Sequence, residues 1–227
     1  MIENPQIPRD YLPFWPRLTG SQQELILRQA QLRRIPKDEI VHNGKEDCVG
    51  LLLVIEGQLR VFTLSEEGRE LTLYRLFPWD MCLFSASCLL KGIDFHVIVQ
   101  AQQPSLVLHI PPDTYRQLME ESLPVSLYTN ELMATHFSDV MWQMDQILNK
   151  KMDSRLAALL LEESALAGSD SVSSTHEKLA RHLGSAREVV SRLLQYFASE
   201  GLIRLGRGSI LLLDRPALER LASASLR

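Results

Sequence analysis

The stretch from Ser174 to Asp214 constrains this chain most, because two helix-start signals stand there with a single glycine between them and two short strands behind. Ser174 and Glu177 have the Ser-x-x-Glu spacing of a capping box, in which the hydroxyl and the carboxylate each satisfy a backbone N–H at the helix start. The helix so begun presents Leu179, Ala180 and Leu183 to a core and ends at Gly184. Ser185 and Glu188 repeat the same spacing immediately afterwards, so the chain must turn sharply and restart as a helix. In this second helix Val189, Val190, Leu193, Leu194 and Phe197 form the apolar face. Arg187, Glu188, Ser191 and Arg192 are left as a polar cluster near its N-terminal half. Gly201 closes the helix, and Leu202 to Leu205 and Ser209 to Leu213 form two strands around Gly206-Arg207-Gly208. The order predicts a winged helix-turn-helix.

The polar cluster carries the chemistry of base reading. Arginine donates twice to guanine O6 and N7, glutamate accepts from cytosine N4, and a short serine reaches a base or a phosphate. Arg207 at the wing tip lies where such hairpins approach the DNA backbone. The formal net charge of −4 is unevenly spread. Residues 1–149 hold 12 Lys/Arg against 19 Asp/Glu, whereas residues 150–227 hold 12 against 9. Only the C-terminal part suits a polyanion.

Upstream, from Ile35 to about Pro111, short Val/Ile/Leu/Phe runs alternate with turn residues: Gly50 to Ile55, Gln58 to Leu64, Leu71 to Phe77, Val97 to Ala101 and Ser105 to Ile110. That rhythm predicts an all-β barrel or roll, with Gly57 and Gly68 in its tight connections. Helical patterns flank it at Gln22 to Leu32 and Asp113 to Glu121. Val125 to Asn149 contains neither Pro nor Gly, and Met133, Phe137, Val140, Met144 and Ile147 recur in coiled-coil steps. A narrow stripe of this kind suits pairing with a second copy of the helix, the alternative being a helix packed wholly within one subunit. A further helix is expected over Asp153 to Ala167. The fold class expected is α+β, in three parts: a β-roll with flanking helices over 1–124, a dimerisation helix and hinge over 125–152, and a DNA-binding domain over 153–227.

No apolar run is long enough to span a bilayer, and Met1 to Asp10 lacks the pattern of a secretion signal, so a cytoplasmic protein with no membrane partner is expected. Cys48, Cys82 and Cys88 are read first as small buried apolar residues. No nucleophile elbow, phosphate loop, His-Glu metal motif or paired-carboxylate arrangement points to an enzyme.

Over nearly its whole length the layout resembles the Crp/Fnr family of transcription regulators. The resemblance is strongest at Thr175-His-Glu-Lys-Leu-Ala-Arg-His-Leu-Gly184-Ser-Ala-Arg-Glu-Val-Val-Ser-Arg192-Leu. It implies that Arg187, Glu188 and Arg192 read bases, with Ser191 beside them and Thr175 at a cap that touches phosphate. His176 stands where the family often has arginine. The DNA-facing set expected is Thr175, His176, Ser185, Arg187, Glu188, Ser191, Arg192 and Arg207. The resemblance also implies an effector or sensor role for the β-roll, a homodimer on double-stranded DNA with an inverted-repeat operator, and RNA polymerase as a partner.

In the cyclic-AMP branch a Gly-Glu pair and an Arg-Ser pair hold the nucleotide; here the aligned residues are Leu83-Phe84 and Phe95-His96. A cyclic phosphate would meet a phenyl ring instead of a guanidinium, so cyclic AMP is disfavoured. The N-terminal cysteine cluster of the iron-sulfur branch and the Cys-x-His of the haem branch are both missing. No cofactor is expected and the effector is unidentified. Cys82, Phe84, Cys88, Phe95 and His96 mark an apolar pocket candidate, set against a filled core, a thiol switch at Cys82 and Cys88, or a metal or haem ligand at His96 or His42. The competing function is a cyclic-nucleotide-type binding module that acts through protein partners.

Overall fold

Leu51 to Ile55 is buried at every position, which a strand permits only when both of its faces are covered. The computed structural model, which describes residues 11–44, 49–83 and 97–223, shows what covers them. Strand β3 (Leu51–Glu56) belongs to a four-stranded antiparallel sheet with β1 (Gln31–Ile35), β6 (Met81–Cys82) and β8 (Ser105–Ile110), ordered β1-β8-β3-β6. A second sheet contains β2 (Ile40–Asn43), β4 (Leu59–Leu64), β5 (Glu70–Leu76) and β7 (Ile98–Ala101), ordered β2-β7-β4-β5. Leu52 and Val54 pack with Val61, Val99 and Val107 in the core shared by the two sheets. Leu51, Leu53 and Ile55 point the other way, because successive side chains of a strand alternate. They join Ile26, Leu118 and Val125 of helices α1 (Gly20–Gln29), α2 (Pro112–Glu121) and α3 (Leu123–Asn149). The roll with flanking helices is therefore present, and β3 is its shared wall.

One element of the first body differs from the sequence expectation. The first helix ends at Gln29, not Leu32, because Gln31 already pairs with His109 across the sheet. Sheet pairing over five residues outweighs the last turn of a helix whose apolar face was short. At the Phe77-Pro78-Trp79-Asp80 turn, Trp79 adopts φ 84°, a left-handed conformation that side chains rarely take. The turn is held by Asp80 N–H to Phe77 O at 3.0 Å, Trp79 N–H to Val54 O at 2.8 Å, and stacking of Trp79 on Tyr11 at 4.2 Å.

The chain groups into two bodies that divide after Val140, with the short segment Leu64–Thr72 counted with the second. In the first body α3 is fixed by polar as well as apolar contacts. Tyr115 and Thr129 share a buried hydroxyl–hydroxyl bond of 2.6 Å, and Thr129 Oγ1 donates to Val125 O at 2.8 Å. Burial pushes the Tyr115 phenol up to about 12, outweighing the opposing effect of its hydrogen bond with Thr129. Two turns further, His136 Nε2 meets Met81 O at 3.2 Å and its ring stacks on Tyr74 at 4.5 Å.

The apolar stripe expected on this helix is divided by the structure. Met133 packs on the helix-side core and Val140 on the core between the sheets, whereas Phe137, Met144 and Ile147 are exposed. The unburied line is instead Leu123, Leu127, Asn130, Ala134, Phe137, Met141, Met144 and Leu148, all exposed and spaced alternately four and three residues apart. Met133 and Val140 leave the stripe because the first body needs the opposite face of the helix for its own core.

Gly57 shows how tightly the roll is closed. It holds φ 91°, and a Cβ there would stand 2.3 Å from Ser105 Oγ and 2.7 Å from Pro104 O. Gly68, at φ 76° in the next hairpin, has open space around the corresponding position. Gly68→Ala should lower stability by about 1 kcal/mol from the left-handed backbone alone. Gly57→Ala should cost about 2 kcal/mol or more, since backbone conflict adds to it. Urea denaturation of the two variants beside the wild type checks the ranking.

Candidate nucleic-acid interface

The C-terminal body is built around a single apolar cluster. Helix α4 (Met152–Ala167) supplies Leu156, Ala157 and Leu160, α5 (His176–Leu183) supplies Leu179 and Ala180, and α6 (Arg187–Ser199) supplies Val190, Leu194 and Phe197. A three-stranded sheet, ordered β10-β11-β9, adds Ile203, Ile210 and Val172 from β10 (Ile203–Gly206), β11 (Ser209–Leu212) and β9 (Ser171–Val172). Helix α7 (Arg215–Ser223) closes it with Leu218. The sequence reading missed α7, although its start was signalled: Asp214 Oδ1 accepts from Ala217 N–H at 2.9 Å, and Pro216 sits in the first turn.

Helix α5 begins one residue later than the Ser174–Glu177 spacing predicts, at the cap position that the family resemblance implied. Thr175, not Ser174, is the cap and accepts from Lys178 N–H at 3.1 Å, while Ser174 is buried. The helix ends at Gly184 in the left-handed conformation, φ 64° and ψ 34°, and Ser185 N–H returns to Ala180 O at 3.0 Å. That six-to-one bond is the Schellman closure that glycine permits at no steric cost. Arg155 Nη2 donates to Leu183 O at 2.7 Å, satisfying a carbonyl at the same helix end, and burial lowers its pKa.

The second capping box does not form: the cap of α6 is Ala186, which offers no side-chain acceptor. Ser185 lies one position too early, because two residues, not one, are needed to leave the Gly184 turn. The consequence for the site is small, since α6 is anchored by its buried face.

At about 100° per residue, Arg187, Glu188, Ser191 and Arg192 fall within an arc of about 140° of α6. Arg187, Glu188 and Arg192 are exposed, and Ser191 is half-buried. Behind them, Val190, Leu194 and Phe197 are fully buried and hold the helix in place. The arc is bordered by the start of α5, where His176 Nδ1 lies 2.9 Å from Ser191 Oγ. Thr175 is exposed; its hydroxyl oxygen serves the cap and its proton remains for an outside acceptor. Arg207 is exposed at the wing turn between Gly206 and Gly208.

Two domain families match the chain in tandem: a cyclic nucleotide-binding domain over residues 32–122 and a Crp-like helix-turn-helix domain over residues 154–221. A solved crp/fnr-family structure from Eubacterium rectale is 49% identical, with a TM-score of 0.92, over 95% of this chain and 100% of that one. The chain belongs to the Crp/Fnr family. This Crp/Fnr protein is also similar to the cyclic AMP receptor protein of Thermus thermophilus, at 26% identity over 92% of this chain and 96% of that protein. To the transcriptional regulator SdrP of the same organism it is 29% identical over 75% of this chain and 83% of that protein. It is a DNA-binding transcription regulator with a cyclic nucleotide-binding-type β-sheet domain, a long helix and a C-terminal helix-turn-helix.

Of the residues expected at the regulator's effector pocket, Phe84, Cys88, Phe95 and His96 lie outside the described residues. Cys82 is buried in β6, opposite Leu52, in the core between the two sheets. Tyr74 adjoins it, and its phenol is held well above the usual value by burial first, then by Cys82 and Asp139. His42 is buried on β2 beside Val99. Among the described residues no group of three His, Cys, Asp or Glu side chains is placed to hold a metal ion.

Arg155 separates stability from base reading. Arg155→Met keeps much of the buried stem but removes the donor to Leu183 O. It should cost about 1 to 3 kcal/mol in denaturant titrations while leaving base preference unchanged.

Proposed function

We propose that the regulator acts as a homodimer that places its two α6 helices in successive major grooves of an inverted-repeat operator, with its affinity set by a signal received at the β-roll. One observation carries the reading. Arg187, Glu188 and Arg192 are exposed together on the arc of α6 that its buried face turns outward. Two-fold symmetry presents that arc twice, with half-site centres about one helical turn, on the order of 34 Å, apart. Thr175, Ser185 and Arg207 are assigned to phosphates around it.

The dimer contact is assigned to the exposed line of α3 from Leu123 to Leu148. Its alternating steps of four and three are those of a two-stranded seam, and Asn130 supplies the one amide that fixes register in such seams. Phe137, 67% exposed, is the largest unburied side chain at its middle. The effector is assigned to apolar chemistry, since in sequence Phe84 and Phe95 align with the positions at which the family resemblance implies charged partners for a cyclic phosphate. RNA polymerase is the partner that family membership suggests. A cytoplasmic location suits a DNA-bound regulator, and among the described residues no helix is long and apolar enough to cross a membrane.

A charge at the centre of the seam tests the dimer. Wild type should sediment as a dimer at micromolar concentration and Phe137→Asp as a monomer; a dimer that survives the aspartate assigns α3 another role.

The operator reading is tested by gel shift against a randomised inverted-repeat library. Arg187→Ala or Glu188→Ala should each cost about 1 to 3 kcal/mol per half-site and relax preference at one base pair. Unchanged base preference in both variants would remove α6 from the reading role, whatever happened to affinity.

A further inference from the structure

We infer that His176 and Ser191 act as one recognition unit, in which the imidazole fixes the direction of the serine hydroxyl and so decides which base-edge groups Ser191 accepts. The inference rests on the assignment of α6 as the reading helix. His176 is the first residue of α5 and Ser191 lies on the reading arc, one turn beyond Arg187, yet the two side chains meet at 2.9 Å through Nδ1 and Oγ. The contact therefore joins the two helices of the motif at the border of its exposed polar face. Sequence pattern places these residues on separate helices and does not reveal the bond.

A hydroxyl has one proton to donate and two lone pairs to offer, and a neutral imidazole has one N–H and one bare nitrogen. If the ring proton sits on Nδ1, it fills the bond to Oγ, and Ser191 keeps its own proton for an acceptor on a base. If it sits on Nε2, Nδ1 accepts the serine proton, and Oγ faces outward with lone pairs only. The tautomer is decided by what Nε2 meets. Beside a reading helix the flanking DNA groups are phosphate oxygens, which accept and never donate. They select Nε2–H. The chain then runs without conflict: Nε2–H donates to phosphate, Ser191 O–H donates to Nδ1, and Oγ accepts from an exocyclic amino group, N6 of adenine or N4 of cytosine. Guanine O6 and N7 and thymine O4, all acceptors, are refused by an oxygen with no proton left. His176 is thus a positioning residue for Ser191, and a phosphate contact is converted into base preference.

A purely structural or phosphate-binding His176 would change affinity equally for all sequences, whereas this arrangement changes preference at one position. Operator selection with full-length wild type, His176→Ala, Ser191→Ala and the double variant separates the two. His176→Ala and Ser191→Ala should relax the same base pair in each half-site, by about three- to tenfold, and the double variant should relax it no further than Ser191→Ala alone. Melting curves in the same buffer establish that each variant is folded. A second arm uses the wild type without any histidine change. Purine in place of adenine, or 2-pyrimidinone in place of cytosine, at that position removes the amino group and should weaken wild type about three- to tenfold but leave Ser191→Ala unaffected. The inference is overturned if His176→Ala lowers affinity with preference intact, if the two single effects add, or if the base analogue weakens both proteins alike. Failure of the wild type to select any operator is a different result, which overturns the reading assignment of α6 itself.

Discussion

The left-handed turn at Gly184 is the constraint on which the DNA-facing surface depends. Helix α5 must stop, satisfy its last carbonyls and let α6 restart within two residues, and only a residue without a Cβ does this at no conformational cost. The bond from Ser185 N–H to Ala180 O closes one carbonyl, and Arg155 closes that of Leu183 from a different helix. With the turn set, Val190, Leu194 and Phe197 dock on α4 and α5. The rotation of α6 follows from that docking, and the exposed side chains have no freedom to be anywhere else on the helix. Charge and chemistry at the interface are thus consequences of an apolar face and a glycine.

The first body solves a different problem with the same economy. A five-residue apolar run cannot sit in a one-faced sheet, so the helices that flank the roll in sequence return to cover β3 from the side opposite the second sheet. Helix α3 takes part in that covering through Val125 and Met133, while Val140 packs on the core between the sheets and His136 stacks on Tyr74; together they commit one of its faces. The remaining apolar line is left unburied by the chain itself. A helix with apolar residues on two opposite faces is the mark of an element shared between an internal core and a second contact.

Each part of the recognition surface was readable to a different depth. Arg187, Glu188 and Arg192 could be placed outward from the spacing of Val190, Leu194 and Phe197 alone, because a helix has one period. The caps were less legible: Ser174 and Ser185 have the correct residue type and spacing, yet Thr175 and Ala186 occupy the cap positions. Cap position depends on where the chain leaves the preceding turn, and a one-residue shift costs little when the helix is held by its buried face. In α3 the spacing that predicted a stripe of Met133, Phe137, Val140, Met144 and Ile147 mixed residues from two faces. Several seams can be drawn through an apolar-rich helix, and only the partner already in place distinguishes them.

The sequence by itself determined the β-roll with flanking helices, the long helix and the winged helix-turn-helix, because these follow from local signals: periodicity, glycine turns and the order of elements. It determined as well which residues of α6 are polar and exposed. Tertiary structure alone decided that Arg155 caps a helix 28 residues away and that Met133 and Val140 belong to the roll. It alone joined His176 to Ser191, 15 residues apart on two helices. Contacts of this kind depend on the angle and distance between elements. Those are set by the packing of whole apolar faces, and no short stretch of sequence contains them.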